Sequence, residues 1–272
     1  MSLTRSDMLG GFTLRRRCAC RLVPLAVAMT AGCAKLPPSA IQQKLDAEVA
    51  YRNNNYHAAT DTLDAFLGRY PDHPDSAEAY YLRALCRAQQ SNKYGASTDA
   101  QHCIRLSGHS GLTAKAHAMT ATLLYETGKE AAALPHYAEA LKGLADEPPT
   151  DIVRYRYALC LQHQGRWREA RLEFAAVFQR YPQSDCAPHA RRMYEWPHDA
   201  FSIQCGAFRD KGKAEQLTQE LKRAGLSART ESRTRSNELL QFVYVGRYAH
   251  YDQAQDALRT VRRHVLDAII RP

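Results

Sequence analysis

The chain has 272 residues, 45% of them hydrophobic and 24% charged, a balance that fits folded protein and excludes wholesale disorder. Its length suggests about two domains of ordinary size. The formal charge of +9 looks like that of a nucleic-acid binder until it is located. Arg5, Arg15, Arg16, Arg17 and Arg21 against Asp7 put four of those charges in the first 32 residues. The mildly basic remainder suits an anionic polymer or an anionic membrane surface.

Arg15-Arg16-Arg17 and Arg21 precede a short apolar run, Leu22 to Met29, which ends at Thr30-Ala31-Gly32-Cys33. A positive start, an apolar stretch and small residues before a cut describe a secretory signal. The run is far short of the ~20 apolar residues that span a bilayer. The Ala-Gly-Cys ending resembles the lipobox of bacterial lipoproteins, although Thr30 stands where that family prefers Leu. The resemblance implies removal of residues 1–32 and lipidation of Cys33, which would anchor the chain at a membrane. A plain secretory signal with a chance cysteine is the alternative. Residues 33–40, with Lys35 and Pro37-Pro38, then form a tether. Lys35, in place of an acidic residue, agrees with outer-membrane sorting in bacteria that use that rule.

Beyond Cys33 lie Cys86, Cys103, Cys160, Cys186 and Cys205. Five thiols without CxxC or Cys/His spacing argue against a disulfide framework and against zinc. No metal or cofactor is expected.

Residues 41–182 contain a repeat. Asn54-Asn55-Tyr56, Asn92-Lys93-Tyr94, Gly128-Lys129-Glu130 and Gly165-Arg166-Trp167 align, with third positions 38, 36 and 37 residues apart. Helical apolar spacing flanks the last of them, Val153, Tyr157, Cys160 and Leu161 before it and Ala170, Phe174, Val177 and Phe178 after it. The Asn or Gly suits a helix end that needs a left-handed residue. A small residue three places after the aromatic position lets helices approach closely, with Ser97 replacing alanine in the second unit. Arg-Tyr-Pro recurs at Arg69-Tyr70-Pro71 and Arg180-Tyr181-Pro182. The pattern resembles the tetratricopeptide repeat, a helix-turn-helix unit that stacks into a solenoid. The resemblance implies either a peptide- or protein-binding concave face or a spacer. Tyr51, Tyr80, Tyr81 and Tyr155 are candidates for that face, or for core. Residues 183–199 read as the end of the last repeat followed by a linker, in which Trp196 caps a neighbouring domain.

From residue 200 the period changes. Phe201, Ile203, Cys205 and Ala207 alternate as a half-buried strand does, and Ala214, Leu217, Leu221 and Ala224 then recur at helical spacing before Gly225. A strand over 226–234, a turn at Ser236-Asn237, a strand around Phe242-Val243-Tyr244-Val245, a helical stripe from Tyr251 to Val265 and a last strand near Ile270 complete a βαββαβ order. Gly206-Ala207-Phe208 and Gly246-Arg247-Tyr248 recur 40 residues apart. Phe201-Ser-Ile-Gln-Cys-Gly-Ala-Phe208 and Val243-Tyr-Val-Gly-Arg-Tyr248 resemble the SPOR domain, with departures at Cys205 and at Arg247-Tyr248. The resemblance covers 200–272. It implies binding of peptidoglycan glycan strands stripped of stem peptides, which are enriched at division septa.

The expected architecture is therefore multidomain: an all-α tetratricopeptide-like solenoid, then an α+β domain of the ferredoxin/RNP-like kind with a four-stranded antiparallel sheet. Two helices cover one sheet face, taking Phe201, Ile203, Cys205, Val243 and Val245 inward. The other face, expected to stand open, carries Ser202, Gln204, Leu240, Phe242 and Tyr244. Gln204 both donates and accepts hydrogen bonds, which suits sugar hydroxyls, and Phe242 and Tyr244 offer flat surface to pyranose rings. Phe208, Arg209 and Arg247 join the candidate glycan-binding residues, and Arg233 and Arg235 add to a basic rim for lactyl carboxylates.

An RNA-recognition module shares the open sheet, but Gln241-Phe-Val-Tyr-Val-Gly246 departs from its third-strand motif, so no nucleic-acid partner is expected. Scattered histidines (His57, His73, His102, His109, His117, His136), no acidic pair and no nucleophile motif argue against an enzyme. A repeat scaffold for outer-membrane or division proteins, with wall binding secondary, is the remaining alternative.

Overall fold

The computed structural model describes residues 35–235 and 238–272. The signal, the lipidation of Cys33 and the turn at Ser236-Asn237 lie outside the described residues, as does the side chain of Arg235.

Eight helices pair in chain order: α1 (Pro38–Arg52) with α2 (Tyr56–Arg69), α3 (Ser76–Gln89) with α4 (Lys93–Leu106), α5 (Ser110–Glu126) with α6 (Glu130–Gly143), and α7 (Thr150–His163) with α8 (Trp167–Arg180). The second helices begin at Tyr56, Lys93, Glu130 and Trp167, so the unit is 37 residues throughout. This corrects the expected register of the second unit by one residue. Its left-handed turn position is Ser91, at φ 63°, where the other units have Asn54, Gly128 and Gly165 at 59°, 73° and 74°. Asn92 instead caps α4, its side-chain oxygen accepting from Gly95 N at 2.9 Å, as Asn55 caps α2 through Ala58 N at 3.2 Å. Asparagine suits both roles, and residue type alone cannot assign them. In the corrected register Lys93 holds the aromatic position and Tyr94 is 86% exposed. The small position is Ala96, buried like Ala59, Ala133 and Ala170. The second unit thus has the alanine that its sequence alignment lacked.

Tyr70 and Tyr181 of the two Arg-Tyr-Pro motifs cap the C-termini of α2 and α8, and the prolines that follow cannot extend a helix. Leu63 and Phe66 anchor the first core cluster, Tyr137 and Cys160 the second, and Leu161, Phe174 and Val177 the third. Buried Asp99 on α4 accepts from Arg83 at 2.6 and 2.9 Å and from Arg87 at 2.9 Å, and Asp64 on α2 accepts from Arg83 at 2.6 Å. Those bonds tie α2, α3 and α4 together. Tyr80 is buried beside the His102 ring and Tyr155 packs on Phe174. Tyr51 and Tyr81, with Leu82 and Leu85, line a cavity of ≈ 500 Å³. All five later cysteines are free thiols. Burial pushes Cys86 and Cys205 up to about 11 and Cys103 and Cys160 up to about 12, which leaves them unreactive.

The stretch read as a linker contains a further helix, α9 (Ala187–Tyr194), packed on α8. Then follow β1 (Phe201–Phe208), α10 (Lys211–Arg223), β2 (Ala228–Arg235), β3 (Glu238–Tyr248), α11 (Tyr251–Val261) and β4 (Ile269–Arg271). The strands form one antiparallel sheet in the order β2-β3-β1-β4. Gly225, at φ 80°, closes α10, with Leu226 N donating to Leu221 O at 3.0 Å. α11 stops at Val261, short of the expected stripe, yet Val265 still reaches the core from the turn beyond. Ile203, Cys205, Val243 and Val245 face α10 and α11 as expected, against Ala214, Leu221 and Val261. Phe201 departs from that set and joins a separate cluster with Trp167 and Ala254. Among the described residues no helix is long and apolar enough to cross a membrane.

The corrected register predicts that Ala96→Leu overpacks the α3–α4 contact and costs about 1–3 kcal/mol. Tyr94→Ala should stay within about 0.5 kcal/mol. Urea unfolding of the two variants checks this, and the opposite ranking would restore the earlier alignment.

Candidate functional site

Strand pairing assembles the sheet face turned away from α10 and α11. Arg229 on β2 stands opposite Tyr244 on β3, Glu231 opposite Phe242, and Arg233 opposite Leu240. Tyr244 stands in turn opposite Gln204 on β1, and Ser202 opposite Arg271 on β4. This face therefore brings together Ser202, Gln204, Leu240, Phe242 and Tyr244, with four charged residues that alternation of β2 and β4 adds. The Phe242 and Tyr244 rings lie nearly parallel, 6.1 Å between centroids and 15° apart.

The face is not open, contrary to expectation. Ser202 is 2% exposed, Tyr244 3% and Phe242 6%. Two layers cover them. Within the sheet, Arg229 donates to Ser202 Oγ at 2.9 Å and to Gly246 O at 2.6 Å, and its guanidinium lies 5.3 Å from the Tyr244 ring centre. Above it runs the segment after α9. Arg233 sits between the Trp196 ring, 4.6 Å away, and the Tyr244 ring, 5.6 Å away. Arg171 on α8 holds that segment by donating to Trp196 O at 3.1 Å and pairing with Asp199 at 2.6 Å. The sequence reading has Trp196 cap a neighbouring domain without saying which, and the structure lays it over Arg233 of the C-terminal sheet.

Between α9 and the sheet remains a cavity of ≈ 630 Å³, a volume usual for small-ligand sites. Gln204, Phe242 and Tyr244 line it from the sheet. His189, Arg192 and Met193 line it from α9, and Trp196, Arg233, Thr234, Arg271 and Pro272 complete the wall. Of the remaining candidates, Ser202 lies beneath Arg229, and Arg209 is exposed and paired with Glu238 at 2.7 Å. Arg247 is exposed and Leu240 half-buried, and neither lines the cavity.

Phe208 is misplaced in the sequence reading. A β-bulge between Gln204 and Gly206 shifts the alternation, so Phe208 pairs with Gln241 and packs on the helix-covered core. Its ring lies over Gly206, where a Cβ would collide with it, and Tyr248 lies over Gly246 in the same way. The duplicated Gly-x-aromatic motif is thus a pair of strand bulges, and a glycan contact is not needed to explain it. The residues missed were Arg192, His189, Arg229, Glu231 and Arg271. Arg191-Arg192 and Trp196 were visible in the sequence, but nothing there folds them back over the sheet.

Electrostatics follow from this packing. Burial pushes the Glu231 carboxyl up, but hydrogen bonds from Arg229 and Arg233, each at 2.8 Å, outweigh it and hold the group below its ordinary value. Burial raises the Tyr244 hydroxyl, with Arg233 opposing, so the ring stays neutral at physiological pH.

Three known families match parts of the chain. Residues 197–272 match the SPOR domain, residues 36–107 match a family described as outer membrane lipoprotein, and residues 153–184 match the tetratricopeptide repeat. The three are binding or scaffold families, and together they support a cell-envelope protein with wall-binding and protein-interaction roles. No curated protein matches the chain. Among solved structures, YrrB, a TPR protein with an unusual peptide-binding site, is 22% identical, covering 59% of this chain and 80% of its own, at a TM-score of 0.48. A tetratricopeptide repeat protein from Parabacteroides merdae ATCC 43184 is 14% identical over 70% of this chain and 68% of its own, at 0.49. MamA from Desulfovibrio magneticus RS-1 is 12% identical over 59% and 93%, at 0.48.

A carboxyl held low in the folded state stabilises above its unfolded value, near 4.5, and loses that contribution as pH falls through the folded value. Glu231→Gln should lower the urea midpoint at pH 7 and flatten its decline on acidification below that value. Parallel acid profiles for the two proteins would remove Glu231 from the account.

Proposed function

We propose that this chain is a cell-envelope lipoprotein that holds peptidoglycan glycan strands, stripped of stem peptides, on the outer face of its C-terminal sheet. The cavity between α9 and that sheet carries the proposal. It combines Gln204, the Phe242 and Tyr244 rings and a rim of guanidinium groups. Those groups suit the three surfaces of such a strand. The small exposed parts of the rings meet C–H groups of pyranoses, an amide meets hydroxyl and N-acetyl groups, and arginines meet the lactyl carboxylates. The Gln204 oxygen already accepts from Arg271 Nε at 3.0 Å, which leaves its amide hydrogens for a sugar oxygen. The SPOR match over 197–272 supports the ligand class. Lipidation at Cys33 would hold the chain at the outer membrane, facing the periplasm, and stripped strands would enrich it at the division septum.

The repeats support a second role, a scaffold for envelope proteins in which the wall serves as an address. The cavity lined by Tyr51, Tyr81, Leu82 and Leu85, with Lys44 and Glu48 beside them, favours it. It offers apolar surface flanked by both charges, which suits a peptide segment, and its lining from Lys44 to Leu85 lies within the part matched to the outer membrane lipoprotein family.

The test is cosedimentation of the chain from Leu36 to Pro272 with intact and amidase-treated sacculi, beside Gln204→Ala. Sedimentation should rise after amidase treatment and fall several-fold in the variant. No sedimentation with either preparation would sink the wall-binding reading and leave the repeats as the binding surface.

A further inference from the structure

The cavity over the sheet has walls from two parts of the chain, and its three arginines differ in their charge balance. Arg233 is compensated within the protein, its Nη2 donating to Glu231 at 2.8 Å. Arg192 and Arg271 have no carboxylate partner among the described residues. Arg192 Nη2 lies 2.6 Å from His189 Nδ1, and Arg271 spends only its Nε on Gln204. Arg271 therefore keeps both Nη groups, the end of the guanidinium fork that matches two carboxylate oxygens. Trp196, which lines the same cavity, has its Nε1 buried with no hydrogen-bond partner among the described residues.

We propose that Arg192 and Arg271 together receive one carboxylate of a sugar held in this cavity, so that α9 is part of the binding site rather than a linker. The inference rests on the glycan reading and adds a selectivity to it. In an intact strand the lactyl carboxyl of muramic acid is tied up in the amide bond to the stem peptide and carries no charge. Removing the peptide restores the carboxylate. Two guanidinium groups without an internal counter-ion favour the charged form, and a stem peptide at that point would have to pass between α9 and the sheet. Preference for stripped strands then arises in this cavity from charge and from space. Of the arginines chosen for the rim from sequence, Arg209 and Arg247 lie outside it and Arg233 lines it.

The experiment compares binding of three glycan preparations to the chain from Leu36 to Pro272. They are intact sacculi, amidase-stripped strands, and stripped strands whose carboxyls have been converted to neutral methylamides. Arg192→Ala, Arg192→Lys and Arg271→Ala are measured beside the unaltered chain. Arg192 is exposed on α9, so its replacement leaves the fold intact, and circular dichroism verifies that. The unaltered chain should bind stripped strands roughly tenfold more tightly than methylamidated ones, the size expected for one charge-assisted contact. Arg192→Ala and Arg271→Ala should bind both preparations alike, at the lower level, and Arg192→Lys should recover part of the difference.

Tight but equal binding of stripped and methylamidated strands would overturn the carboxylate site and leave the glycan reading standing. Full discrimination in Arg192→Ala would remove α9 from the site. Stronger binding to intact sacculi than to stripped strands would move the carboxylate to the stem peptide and overturn the lactyl assignment. Failure to bind any of the three preparations would refute the glycan reading itself.

Discussion

Everything around the cavity depends on one packing contact some distance from it, that of Phe201 with the last repeat. Phe201 is the first residue of β1, and its ring is 2% exposed against Trp167 of α8, with ring centres 4.7 Å apart. Trp167 Nε1 donates to Ala249 O at 3.0 Å, and His163 of α7 stacks on Tyr251 of α11 at 4.1 Å. Gly165 allows the approach, because a Cβ there would crowd Ala249 O and the His250 ring. The contact joins the start of β1 to the start of α8, so residues 181–200 leave the far end of α8 and have to return to its beginning. A chain so held cannot leave as a free tether. It turns back as α9, and Trp196 is laid over Arg233.

The sheet face then meets a problem of charge. Arg229, Arg233 and Arg271 share it, and three guanidinium groups on one buried surface would repel each other and lose hydration. Glu231 compensates Arg229 and Arg233 together, and the faces of Tyr244 and Trp196 accept what remains of their field. Arg271 and Arg192, at the cavity wall, are left without a counter-ion among the described residues. The division is physical. Charges that hold the sheet in shape are paired within the protein, Arg233 at the cavity wall among them.

Much of the helical array was legible because its signals are local. Apolar residues at helical spacing, asparagine or glycine at the turns and proline after Tyr70 and Tyr181 each act within a few residues. The second unit was misaligned for a local reason as well. Asn92 could serve as the left-handed residue or as the cap, and Ser91 at φ 63° decides between them only once the turn is built. The C-terminal strands and helices were legible from alternation, and alternation failed where a bulge breaks it, at Gly206, which carried Phe208 to the opposite face.

The sequence by itself determined the class of each part: helical repeats up to Pro182, a four-stranded sheet with two helices after Phe201, and an aromatic and polar row at Gln204, Phe242 and Tyr244. It did so because periodicity records which side of an element is buried. Whether the second side of the sheet meets solvent was decided only in three dimensions. The contacts that cover it join residues far apart in the chain, Arg171 to Trp196, Trp196 to Arg233 and Trp167 to Ala249. No pattern within one element encodes such contacts, since they follow from where the last repeat and the sheet dock.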